Sequence, residues 1–205
     1  NICIDLGAAK FEHMPWKTFL LSKNTKWIAV DPNKQSLNYL KFWRWKASLF
    51  EENTAVSQNG GEMNLYVTNV PTGSSLKKIN INQNLRNRVD LNYFYPIKEE
   101  KIQTTSIKNL IEKYYDNNFD IFIKIDIQGY GMEILKGLES YLKSNKILGI
   151  EIECSLYSNP SYENASKFND ISIFLEKYNF ELIQLNIISL KKNTKKNKHI
   201  PNECD

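Results

Sequence analysis

Cysteine and histidine are scarce in this chain, and their spacing excludes several kinds of site. The three cysteines, Cys3, Cys154 and Cys204, lie far apart and outside any CxxC arrangement. Neither a disulfide framework nor a thiolate zinc centre is expected, and a reducing, cytoplasmic compartment is. The two histidines, His13 and His199, form no ligand pair. No apolar run is long enough to span a bilayer, and none has the form of a signal peptide. Glycine is sparse as well, with eight in 205 residues. No GxGxxG turn or P-loop is present to cradle a pyrophosphate or triphosphate. There is no internal repeat. The net charge is only +4, and much of it sits in the segment 191–198, KKNTKKNK. That composition reads as a solvated, flexible tail over 191–205 rather than a nucleic-acid-binding arm, so nucleic acid is not the expected partner.

What the chain does have is alternation of strand-like and helix-like segments. Residues 2–6 (ICIDL) and 26–31 (KWIAVD) are apolar runs that each meet a carboxylate. Residues 14–24 between them place Trp16, Phe19 and Leu20 at helical spacing, which makes a βαβ unit. A second helix is expected over 34–46, with Leu37, Leu40 and Trp43 or Trp45 inward. After the Gly60-Gly61 turn, residues 63–69 alternate like a half-exposed strand. Segment 71–99 is polar and aperiodic, and reads as an irregular insertion or lid. Ser106 can cap a helix bearing Ile107, Leu110, Ile111 and Tyr114. A strand over 120–127, a helix over 130–143, a strand over 147–153, a helix over 168–178 and terminal strands in 180–190 complete one domain over 1–190. Such alternation argues for an α/β fold with helices on both faces of a mostly parallel sheet.

In open sheets of this kind ligands bind beyond the carboxyl ends of the strands. The strand ends here carry Asp5, Gly7 and Ala8; Asp31; Asp126, Gln128 and Gly129; and Glu151 and Glu153. A single tight turn at Gly7 lets backbone approach a ribose-bearing cofactor without phosphates, and Asp31 can accept from two ribose hydroxyls. Side-chain parity puts Lys124 and Asp126 on one face, so the lysine needs an acid, for which Asp126 is the nearest candidate. An internal salt bridge that merely orients the strand end is an equal reading of that pair. Glu151 and Glu153 share a face with each other.

These residues resemble those of the FkbM-type methyltransferases. The strongest similarity is IKIDIQGYGMEILKG at 123–137, a strand–turn–helix signature of that family. IDLGA at 4–8, VDPN at 30–33, NTAVSQNGGEMNLYV at 53–67, TGSSL at 72–76, TTSIKNLIEK at 104–113 and GIEIE at 149–153 follow the family order. The family departures are Ala9 and Phe11 after the first turn and Gly131 where a glutamate is usual.

The resemblance implies a Rossmann-like, doubly wound sheet with a reversed, antiparallel C-terminal hairpin, and S-adenosylmethionine bound over the first two strands. It also implies methyl transfer to a hydroxyl of a sugar, glycan or small natural product. Asp5, Gly7 and Ala8 would face the methionine end, Asp31 the ribose, and the stretch from Asn53 to Ala55 the adenine. Asp126 would stand at the transfer site as base or orienting group, with Lys124 and Glu151 beside it. Gln128, Tyr130 and Glu153 would meet the acceptor. A divalent ion shared by Asp126 and Glu151 is a variant of this scheme. A cofactor-binding module without catalysis and an RNA or protein methyltransferase are the competing readings.

Overall fold

The computed structural model describes residues 1–8, 17–38, 40, 46–81, 95–116, 118–156, 161–193 and 198–204. His13, Trp16, Trp43 and Trp45, like Ala9 and Phe11, lie outside them, as does most of the expected 14–24 helix before Lys17. The chain divides into two compact units. One comprises Asn1–Met63, Ile102–Asp126 and Glu133–Glu151. The other comprises Asn64–Lys101, Ile127–Met132 and Ile152–Asp205.

The first unit is built on a five-stranded sheet of order β3-β2-β1-β7-β8. Its strands are β1 (Ile2–Leu6), β2 (Lys26–Val30), β3 (Ser48–Glu52), β7 (Ile121–Ile125) and β8 (Ile147–Ile152). β1 pairs in parallel with both β2 and β7, and β2 with β3. All five residues of β1 are buried, which requires cover on both faces and explains why its sequence is almost uninterruptedly apolar. In-register Cys3, Trp27, Leu49 and Phe122 define one face, packed with Leu20, Leu37, Leu40 and Ala47. Helix α1 (Lys17–Leu20) contributes Phe19, whose ring lies 4.6 Å from that of Phe122. Burial pushes the Cys3 thiol up to about 12, as befits an inert core residue.

β3 was not foreseen: its run SLFEE is short and ends in two acids, so neither periodicity dominates. Helix α2 (Lys34–Asn38) follows β2 and an Asx turn, in which Asn33 Oδ1 accepts from Gln35 N. Helix α3 (Ile107–Tyr114) begins as expected, with Ser106 Oγ accepting from Asn109 N at 3.0 Å. The helix expected over 130–143 is two, α4 (Gly131–Gly137) and α5 (Glu139–Lys143), meeting at Leu138.

A second sheet has the order β4-β6-β5, with β4 (Ala55–Ser57), β5 (Gly61–Thr68) and β6 (Pro96–Ser106). The segment read as irregular over 71–99 therefore ends inside a strand. Most of the first half of β6 is exposed, with Ile97, Lys98 and Glu99 consecutively so, which hides it from a search for apolar runs. The antiparallel C-terminal strands form a third sheet rather than an edge of the parallel one. It has the order β10-β11-β9, with β9 (Cys154–Ser155), β10 (Ile187–Asn193) and β11 (Lys198–Cys204). Lys191, Lys192 and Lys198 lie in these strands, so the expected free tail is instead a paired hairpin. Backbone groups on the facing sides of β10 and β11 pair across the ladder, and lysine-rich sequence is compatible with an edge. Helix α6 (Phe168–Glu176) lies between β9 and β10 in the chain. Among the described residues no helix is long and apolar enough to cross a membrane.

Candidate active site

The parallel sheet reverses its order at β1: successive strands run outward to β2 and β3 on one side and to β7 and β8 on the other. The carboxyl ends of β1 and β7 therefore lie at the point where the strand order reverses, the usual ligand position in such sheets. Asp5 stands there, in register with Ala29 and Lys124. Lys124 Nζ lies 3.4 Å from Asp5 Oδ1 and 3.3 Å from Asp126 Oδ2. The lysine thus bridges two strand ends. Side-chain parity indicated its pairing with Asp126, but Asp5 enters only through inter-strand register. Burial alone would favour neutral Lys124, but the charges of Asp5 and Asp126 outweigh it and hold its pKa above the ordinary lysine value. Burial raises the Asp5 carboxyl, with attraction to Lys124 opposing.

Gly7 makes this convergence possible. Its φ is +83°, and a Cβ there would lie 1.8 Å from the Asp126 carbonyl oxygen. Only glycine permits that approach of backbone to backbone. The Gly7 and Ala8 N–H groups both donate to Val30 O, at 3.0 and 3.1 Å, and the Ala8 side chain is buried in the core. These two residues therefore shape the turn while their N–H groups serve the fold.

Asp31 is 7% exposed at the end of β2. Its Oδ1 accepts from Asn33 N at 2.7 Å; among the described residues its other oxygen has no hydrogen-bond partner. Burial pushes this carboxyl up to about 6, against the Asn33 N–H, which favours the charged form. The negative charges of Asp5 and Asp126 add to the rise. Asn53 Nδ2 donates to the carbonyls of Asp31 and Pro32, at 3.1 and 2.9 Å, fixing the loop after β3 against the loop after β2. Ala55 is buried in β4. A hydroxyl-bearing group without phosphates fits this set: a buried acid with an open acceptor oxygen, and no glycine-rich cradle. A model of the methyltransferase FkbM domain family matches residues 5–182.

The chain belongs to that family. Comparison with curated proteins and with solved structures gave no match. The FkbM methyltransferase domain accounts for the parallel sheet and for the order of the strand-end motifs.

In the second unit, the FkbM turn that follows β7 has its own network. Gln128 and Gly129 adopt φ of 53° and 86°. The Gln128 carbonyl accepts from Ser75 Oγ at 2.7 Å. Its side-chain Nε2 donates to Glu153 Oε2 at 3.3 Å, and its Oε1 accepts from the Tyr162 hydroxyl at 2.8 Å. Ser166 Oγ donates to Gly129 O and accepts from Met132 N, which docks the start of α4. A Cβ at Gly131 would come within 2.7 Å of Ile152 Cδ1, so the family's glutamate at that position would need this contact to open. Tyr130 carries Lys77 Nζ 5.6 Å from its ring centre.

Gln128 and Glu153, both selected from sequence, are thus brought together. Glu153 lies beyond the end of β8, whereas Glu151, half-buried, lies within it. Sequence reasoning missed Ser75 as a bonding partner, although TGSSL was a recognised motif. It missed Tyr162 altogether, because its surroundings, NPSYENAS, carry no periodicity.

Proposed function

We propose that this FkbM methyltransferase domain is an S-adenosylmethionine-dependent O-methyltransferase acting on a hydroxyl of a sugar, glycan or small natural product in a reducing, cytoplasmic setting. The observation that carries this reading is Asp31: a buried carboxylate with an acceptor oxygen left over, one strand from Asp5. An ionised carboxylate can accept from both hydroxyls of a ribose. Asp5 offers its negative charge to the ammonium of the methionine portion, with Gly7 and Ala8 shaping the turn beside it. Asn53 and Ala55 border the adenine. When bound, the cofactor supplies a sulfonium methyl already activated for transfer, so the protein's main task is alignment.

Lys124 keeps Asp5 and Asp126 in a common orientation by bonding to both. Asp126 orients or deprotonates the acceptor oxygen, since an alcohol is a poor nucleophile while it keeps its proton. Glu151 assists from β8. Gln128, Tyr130 and Glu153 bind the acceptor. Calorimetric titration tests the division of labour. Asp31→Ala is expected to weaken S-adenosylmethionine binding by about 10- to 100-fold, the range for losing charged hydrogen bonds. Asp126→Ala should leave binding within about threefold while abolishing turnover. Equal effects on binding would overturn the assignment. A wild-type domain that fails to bind millimolar cofactor would be an inert module instead.

A further inference from the structure

The Gln128 amide has two possible orientations, and its neighbours choose between them. An ionised Glu153 can only accept, so it selects Nε2. With Nε2 turned to Glu153, Oε1 faces the Tyr162 hydroxyl, which donates to it. That hydroxyl is a buried group, with the tyrosine only 5% exposed, and it reaches Gly73 O at the same 2.8 Å. Its single proton serves two acceptors, the loop carbonyl and the amide oxygen. The backbone at Gln128 is equally constrained, because its left-handed φ is disfavoured for a residue with a Cβ and Ser75 holds its carbonyl.

Beside this amide lies a cavity of about 20 Å³ lined by Gln128, Glu153, Ser155, Ser161, Tyr162 and Ser166. That volume suits one water or one hydroxyl oxygen. An alcohol oxygen both accepts and donates, and Gln128 Nε2 with Glu153 offers one partner of each kind.

We propose that Tyr162 is a positioning residue: it fixes the Gln128 amide so that the Gln128–Glu153 pair presents a donor and an acceptor to a single hydroxyl in this cavity. The identification of that hydroxyl with the methyl acceptor rests on the function proposed above. Tyr162 itself acts through Gln128, without needing to touch the acceptor.

The test is Tyr162→Phe in the full chain. The Gln128 side-chain amide is identified in a proton–nitrogen correlation spectrum by its loss in Gln128→Met. In the wild type its hydrogen exchange should be slowed about tenfold or more relative to an exposed amide, and Tyr162→Phe should remove about tenfold of that protection. S-adenosylmethionine affinity should stay within about twofold, because Tyr162 acts through Gln128, which is assigned to the acceptor and not to the cofactor. Glu153→Gln attacks the same orientation from the other side, since a neutral amide at 153 can offer either end, and it should also lower the protection. An amide unchanged in both variants would overturn the proposal and leave Tyr162 a packing residue.

Turnover of a panel of methyl glycosides, read as S-adenosylhomocysteine released, separates this proposal from the functional reading beneath it. For a glycoside that reacts, Tyr162→Phe should raise KM about tenfold with kcat within about threefold. A fall in kcat alone would overturn the positioning role. If no glycoside reacts, the substrate class proposed for the domain fails, and the spectrum still decides the role of Tyr162.

Discussion

The strand ends of the parallel sheet and the turn at Gln128 solve different problems with different groups. At the ends of β1, β2 and β7 the sequence buries Asp5, Asp31 and Lys124 and leaves Asp126 half-exposed. Around Gln128 the bonding groups are the Ser75, Ser166 and Tyr162 hydroxyls, with Glu153 as the charged member. Burying charge is costly unless it is paired, so a fold that does so repeatedly at neighbouring strand ends maintains a field there. Neutral hydroxyls give little field but specify direction, which suits a turn held in left-handed backbone. The first region is organised to attract, the second to orient.

The largest expected effect falls on the charged region. Lys124→Met would leave Asp5 and Asp126 without their shared cation, at a cost of about 3–5 kcal/mol, measured by denaturant unfolding. If the variant were as stable as the wild type, the lysine would not be holding the strand ends. Gly7→Ala comes next, because a methyl group would press on the Asp126 carbonyl at a backbone angle alanine avoids. A loss of about 3 kcal/mol, or a Tm lower by about 6–12 °C, is expected.

Asp31 sharpens the contrast through pH. Its carboxyl is raised from 3.8 to about 6 in the folded protein. Its contribution to stability is therefore fully present below 3.8 and is lost as pH rises through about 6. A cofactor whose hydroxyls donate to the ionised form binds with the opposite dependence. S-adenosylmethionine affinity should fall as pH drops below about 6, approaching tenfold per pH unit. Asp31→Asn should remove both dependences, and calorimetry together with thermal melting at several pH values would show it. Ser75→Ala is the mildest change. Loss of its bond to Gln128 should cost about 1 kcal/mol and leave cofactor binding unaltered.

The charged region was the more legible of the two in the sequence. Strands buried on both faces leave apolar runs, so a run ending at Asp5, Asp31 or Asp126 marks its own terminus. Position along a strand can be read from parity; position across a sheet cannot, which is why the bond from Lys124 to Asp5 emerged only with the register. β3 escaped notice because its apolar core is two residues, Leu49 and Phe50, next to Glu51 and Glu52. The network around Gln128 was half legible. Gln128 and Glu153 belong to motifs, whereas Tyr162 reaches them from a loop whose composition encodes no spacing. The C-terminal lysines misled for a related reason: local charge reports on solvation, and the pairing that orders 187–193 against 198–204 is a property of two segments together.

The charge carried by the strand ends has a bearing on turnover. Asp5, Asp31 and Asp126 against Lys124 amount to three negative groups and one positive, a net of two negative when all are ionised. On the proposed reading, the donor arrives with a positive sulfur and departs as a neutral thioether. The same field that draws the fresh molecule in holds the spent one less firmly, so electrostatics favours exchange of one for the other.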